Sequence, residues 1–227
     1  MLTVTGGDRA GVLDGVEALL EGLGLEQIGL GDTGRVVPRA PVPWPSRLRR
    51  VERPAIATRG LWAFEPRGHP DFFLWMARNR MNQWTAVDTA WVPLMKKLGF
   101  SLTGGGHTIQ SEFLSPARYF ASHPEWYGLH DGKRSPNLHG DSGDNFCTSN
   151  PEARRTLAAN LTQSLIDGSL RHVDRLELWM LDTGRWCECD RCRAQGSPTD
   201  RLLDVVSDVA AALERARASG ALARPVT

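Results

Sequence analysis

Between residues 9 and 23 the apolar side chains fall at Val12, Val16, Leu19, Leu20 and Leu23, the spacing of one helical face, and Gly24 ends the run. Beyond a proline-rich stretch the pattern switches repeatedly between strand and helix periods. Residues 55–62 form a short apolar run that predicts a strand. Residues 70–81 predict a helix with Phe73, Leu74, Met76 and Ala77 inward. Residues 84–90 predict a second strand, and 91–98 a helical segment with Pro93 in its first turn, where proline is tolerated. A third strand at 100–103 runs into a glycine-rich loop, Gly104-Gly105-Gly106-His107. Residues 108–148 are polar, dotted with aromatics and aperiodic, and read as a long inserted loop; loops of this length usually carry function. Ser149-Asn150-Pro151-Glu152 then supplies cap residues and a first-turn proline for a helix to about residue 166. A fourth strand over 173–181 alternates Leu176, Leu178 and Met180 with Arg175 and Glu177. A last helix from near Thr199 carries Leu202, Val205, Val206, Val209 and Leu213 on its buried stripe.

The order β-α-β-α-β-loop-α-β-α predicts a parallel sheet with helices packed outside it. An open doubly wound sheet and a barrel both satisfy this order. A dinucleotide-binding fold would place G-x-G-x-x-G between a first strand and a helix. Gly22-x-Gly24 follows a helix and Gly104–Gly106 precedes a long loop, so neither has that context. The α/β class expected is therefore a partial (β/α)8 TIM-type barrel of about four β/α units over residues 55–227. Residues 38–54, with prolines at 38, 41, 43, 45 and 54 and several arginines, read as a linker before it.

A net charge of +1 over 227 residues leaves no basic excess of the kind that nucleic acid or a membrane surface attracts. No apolar run reaches the roughly eighteen residues needed to span a bilayer. Residues 1–11 have neither a basic segment nor an apolar segment of a signal peptide, and the compartment stays open.

In a β/α barrel the chemistry sits on loops after the strands' C-terminal ends. Those positions nominate Arg59 and Trp62 after the first strand, His107 after the third, and Asp182 and Trp186 after the fourth. Asp182 follows the apolar Leu-Glu-Leu-Trp-Met-Leu and suits a general acid, a ligand for sugar hydroxyls, or a turn-capping aspartate. His107 suits a ligand contact beside bare glycine backbone, or a surface turn. Arg59 suits a substrate carboxylate or a bridge between strands. Trp62 and Trp186 offer stacking faces for a pyranose ring, against the plainer role of core filling. Glycoside hydrolysis normally takes two carboxylates, and only Asp182 stands out here; Glu125, Asp131, Asp141 and Asp144 in the long loop could supply the other, but nothing in their spacing selects one.

Cys187-Glu-Cys189-Asp-Arg-Cys192, with the remote Cys147, admits three states: a tetrahedral structural zinc, disulfides, or reduced thiols. The C-x-C step is tighter than the usual C-x-x-C, so the spacing does not select among them. Either bonded state would staple the loop after the fourth strand beside Asp182.

The run Cys147-Thr-Ser-Asn-Pro-Glu152, the strand ending in Asp182, and Trp186-Cys187-x-Cys189-x-x-Cys192 resemble a bacterial domain-of-unknown-function family. The barrel of that family is similar to those of α-glucuronidases and hexosaminidases. Residues 115–133 resemble its long loop after strand three, and Arg59-Gly60 its first barrel strand. Residues 1–37 resemble the C-terminal part of the small α/β domain that precedes the barrel in those hydrolases. The resemblance implies a carbohydrate-active protein, O-glycosyl hydrolysis by the parent enzyme, Asp182 as the catalytic acid after strand four, and no required cofactor. An eight-stranded barrel takes about 250 residues, so this stretch is expected to be a fragment lacking part of its active site. Its unpaired edges are then expected to take the missing barrel half or a second copy. The alternatives are a non-catalytic carbohydrate-binding or structural module with a cysteine-stapled loop, and a protein whose cysteine site itself carries the function.

Overall fold

The computed structural model describes residues 2–61, 68–85, 89–138, 143–182 and 184–227. The chain folds as two units, Met1–Thr103 and Gly104–Thr227, with the division inside one strand.

In the first unit, α1 (Arg9–Gly22) starts where the Asp8 carboxylate accepts the Gly11 N–H at 2.7 Å, and Gly24 at φ +83° follows its end. Its apolar stripe is less covered than its period predicts. Only Ala18 is buried, while Val12 and Val16 are 41% and 36% exposed. The helix packs Leu13 against the unit's core and leaves Val12 and Val16 exposed, while Leu19 and Leu20 are half-buried. The strands β1 (Glu26–Gln27) and β2 (Arg35–Val36) pair antiparallel. Residues 37–59 form neither helix nor strand, and the predicted first strand is short: β3 spans Gly60–Leu61.

Next, α2 (Pro70–Arg78) is capped by the His69 imidazole and opened by Pro70 at its first turn, and it buries Phe73, Met76 and Ala77. The strand β4 (Gln83–Thr85), a 3₁₀ turn at Thr89–Trp91, α3 (Val92–Lys97) and β5 (Ser101–Gly106) complete the alternation. β3 pairs parallel with β4, and β4 with the first half of β5, in the register Gly60↔Gln83 and Trp84↔Leu102. The core holds Phe73, Met76, Trp84, Val92, Met95, Phe100 and Leu102. Phe73 and Trp84 meet edge to face at 5.8 Å, the arrangement that the ring quadrupoles favour.

The second unit begins in the other half of β5, which hydrogen-bonds to β8 (Arg175–Leu178). Here the structure corrects the expected loop: Gly104–Gly106 extend the strand. Gly105 has φ +105°, and a Cβ on it would lie 2.2 Å from the Glu177 carbonyl oxygen, so only bare backbone lets β8 approach.

Residues 108–138 are corrected too. They contain α4 (Ile109–Phe113), α5 (Pro116–Tyr119), a 3₁₀ turn at Pro124–Trp126 and the hairpin β6 (Leu129–His130) and β7 (Lys133–Arg134). Ile109, Phe113, Leu114, Trp126, Tyr127 and Leu138 from this segment form one core with Phe146 and with α6 (Pro151–Ile166) and α8 (Pro198–Ala218). Elements this short have no period to display, which is why the segment reads as a loop.

The helix α6 starts as predicted, with Asn150 Oδ1 accepting from Glu152 N and Ala153 N at 3.0 and 3.1 Å. A short α7 (Asp190–Ala194) lies among the cysteines. Ser197 and Asp200 form a reciprocal capping box on α8. On α8, Val205 and Val209 are buried, whereas Val206 is 38% exposed and a buried Arg201 takes part of the inner face. Arg201 is tolerated there because its guanidinium donates to the Gly196 and Cys187 carbonyls. The chain is thus a mixed α/β fold with parallel strand pairing. Its four predicted barrel strands correspond to β3, β4, β5 and β8.

Candidate functional site

Two constellations in the second unit bring sequence-distant polar groups together. In the first, Cys187 and Cys189 follow β8, Cys192 lies in α7, and Cys147 lies just before α6. Their four Sγ atoms all fall within 4.8 Å of one another. Cys147 Sγ is 3.7 Å from the sulfurs of both Cys189 and Cys192, and all four cysteines are unbridged. Cys147, Cys187 and Cys192 are buried and Cys189 is half-buried. Four thiols this close cannot ionise independently. Hydrogen bonds from Cys147 and Cys187 hold the Cys192 thiol well below its ordinary value. Bonds to Cys147 and Cys192, and then burial, push Cys187 up. Such a group of soft donors can hold a metal ion.

The second constellation lies at the shared end of β5 and β8. His107 Nε2 is 3.2 Å from Asp182 Oδ2, and His107 Nδ1 is 2.6 Å from the Met180 carbonyl oxygen. A carbonyl only accepts, so Nδ1 carries a proton. Nε2 then faces the Asp182 carboxyl. The Trp179 ring meets His107 edge-on at 5.1 Å. The Asp182 side chain is 75% exposed and that of His107 19%, so the carboxylate faces solvent from a fixed imidazole.

The turn bearing Asp182 is clamped from inside. Asn145, wholly buried, accepts from Leu181 N at 2.9 Å and donates to the Gly184 carbonyl at 3.1 Å, gripping both flanks of Asp182. Buried Gln110 donates to Asn145 Oδ1 at 2.8 Å and accepts from Phe146 N. Beside them Arg185 holds buried Asp144 through two hydrogen bonds. Burial opposes ionisation of Asp144, but the bonds from Arg185 and Ser135, with His130 nearby, outweigh it and hold the carboxyl below its ordinary value.

Of the residues nominated from sequence, His107 and Asp182 are brought into contact and the four cysteines into a cluster. Arg59 lies in the first unit, where its guanidinium donates to the carbonyls of Arg80, Ile56 and Ala57 and pairs with Asp14 of α1 at 3.3 Å. Trp62 lies outside the described residues. Trp186 is half-buried against the unit's core, with the Arg201 guanidinium 6.0 Å from its ring centre. Sequence reasoning passed over Trp179, Gln110, Asn145 and the Asp144–Arg185 pair. Trp179 carried a usable signal, its place just after β8 and three residues before Asp182. The others sit in aperiodic polar stretches with none.

Residues 30–221 match the family described as Domain of unknown function (DUF4838). No curated protein and no solved structure matches the chain.

Proposed function

The chain belongs to the DUF4838 family, and from that premise and the His107–Asp182 pair we propose a glycoside-hydrolase-like protein whose ligand is carbohydrate. In this reading β3, β4, β5 and β8 are the first strands of a TIM-type barrel, and the pair follows the C-terminal ends of β5 and β8, the kind of position where that fold places its chemistry. The observation that carries the proposal is the 3.2 Å contact between an exposed carboxylate and a backbone-anchored imidazole, next to an indole. A carboxylate that accepts hydroxyl protons beside an aromatic ring is the polar-plus-apolar surface a sugar needs. As a catalyst, Asp182 in its acid form gives its proton to the glycosidic oxygen as the C–O bond breaks, the carboxylate left behind takes a proton back from solvent, and His107 holds the carboxyl in place. A second carboxylate completes hydrolysis. No cofactor enters this chemistry; zinc at the four cysteines has a structural part. The 75% exposure of the Asp182 side chain favours a second reading, in which the carboxylate binds hydroxyls without turnover.

The test is a panel of neutral, acidic and amino sugars and their aryl glycosides, followed by NMR of the His107 and Trp179 side chains and by released aglycone. A binding sugar should perturb both resonances. Asp182→Asn should weaken that sugar about tenfold or more, the worth of a hydrogen bond to a charged group, and abolish any turnover. Binding without turnover in the wild type selects the second reading. A panel that leaves His107 and Trp179 unmoved, or an Asn variant that binds and turns over like the wild type, overturns the proposal.

A further inference from the structure

We propose that Cys147, Cys187, Cys189 and Cys192 form a tetrahedral tetrathiolate centre for a thiophilic divalent cation, with Arg134 as its built-in counter-charge. This inference goes beyond the carbohydrate reading and does not depend on it.

The distances carry the first part. Zinc–thiolate bonds of about 2.3 Å at tetrahedral angles require sulfurs about 3.8 Å apart. The separations of Cys147 Sγ from Cys189 and Cys192 are 3.7 Å, and no pair exceeds 4.8 Å. Four unconnected thiols have no reason to converge to the edge lengths of one tetrahedron, with three of them buried, unless a common ligand belongs at its centre.

The donors around the sulfurs carry the second part. Leu129 N–H points to Cys187 Sγ at 3.3 Å. The Ser149 hydroxyl lies 3.5 and 3.6 Å from the sulfurs of Cys147 and Cys189, with one proton to give between them, and accepts from Cys192 Sγ at 3.2 Å in the unloaded thiol form. A thiol is a weak acceptor and a thiolate a good one, so the Leu129 N–H and the Arg134 guanidinium on Cys187, with the Ser149 hydroxyl beside Cys147 and Cys189, favour the ionised form.

Charge balance carries the third. Four thiolates with a divalent cation leave an excess of two negative charges. Arg134 Nη1 lies 3.6 Å from Cys187 Sγ and is fixed there by donating to the Tyr127 carbonyl at 2.7 Å. Its always-charged guanidinium removes half the excess without exchangeable solvent ions. The donor set excludes magnesium and calcium, which take oxygen, and admits zinc, cobalt(II) and cadmium.

The experiment is cobalt(II) titration of the reduced, metal-depleted full chain, read by the visible ligand-field bands of tetrahedral cobalt thiolate, with zinc affinity then measured by chelator competition. The wild type should bind one cobalt per chain with the tetrathiolate spectrum, zinc should displace it, and the protein should protect four thiols from a thiol reagent when loaded. Arg134→Gln, which keeps every ligand, should weaken zinc tenfold or more, and Arg134→Lys should restore part of that loss. A wild-type chain that shows no tetrathiolate spectrum, or leaves its four thiols equally reactive with and without metal, overturns the metal centre. Equal zinc affinity for wild type and Arg134→Gln overturns the counter-charge. Sugar binding is absent from every readout, so failure here is separable from failure of the carbohydrate reading.

Discussion

Asn145→Ala removes the inner grip on the turn that carries Asp182, and its cost can be worked from the contacts. The side chain is wholly buried and makes three hydrogen bonds: Oδ1 accepts from Gln110 Nε2 at 2.8 Å and Leu181 N at 2.9 Å, and Nδ2 donates to the Gly184 carbonyl at 3.1 Å. Alanine leaves Leu181 N and the Gly184 carbonyl buried and unpaired, each at about 1–3 kcal/mol, while Gln110 Nε2 keeps only the weak acceptor Met180 Sδ at 3.3 Å. Gln110 retains its bond from Phe146 N, and the vacated carboxamide space admits one water, which recovers part of the loss. The net destabilisation expected is about 3–5 kcal/mol. Asn145→Asp keeps the acceptor for Leu181 but sets a carboxylate oxygen against the Gly184 carbonyl, so it should not rescue. The assay is urea unfolding of both variants, with amide exchange at Leu181 as the local readout. An alanine variant within about 1 kcal/mol of wild type, with Leu181 exchange unchanged, would refute the claim that this network holds the Asp182 turn.

Gly105→Ala should abolish cooperative folding of the second unit, because a methyl 2.2 Å from the Glu177 carbonyl at φ +105° forces β5 and β8 apart; a circular-dichroism melt that keeps its wild-type midpoint would contradict this. Asp144 makes an acid-stability prediction. Its folded-state carboxyl lies below 3.8, so its contribution is complete above that value and is lost as pH falls through the depressed folded value. Arg185→Gln removes the strongest stabiliser of the carboxylate, so the variant should be less stable at neutral pH and the difference should vanish in acid. Thermal melts from about pH 2 to 7 measure it, and a difference that persists at the acid end would contradict the assignment.

Sequence alone determined the elements whose signals are local. Asn150-Pro151 names the start of α6 because caps and first-turn prolines act within a few residues, and the apolar stripe placed the start of α8 near Thr199, one residue from Pro198. The β/α alternation gave the order of the strands, and position after a strand was enough to nominate His107 and Asp182. The cysteine spacing gave a cluster but left metal, disulfide and free thiol open, because chain spacing says nothing of how far Cys147 stands from the others. Tertiary structure alone decided the rest. It turned Gly104–Gly106 into strand, because the need for glycine arises from the Glu177 carbonyl across the pairing. It made residues 108–138 part of the core, because turns and helices of three to five residues bury side chains without any period. It committed Arg59 to backbone carbonyls, and it chose Asn145 and Gln110, whose hydrogen-bond partners lie about 35 residues or more away. A buried amide is selected by the unpaired groups around it, and those groups become neighbours only once the chain has folded.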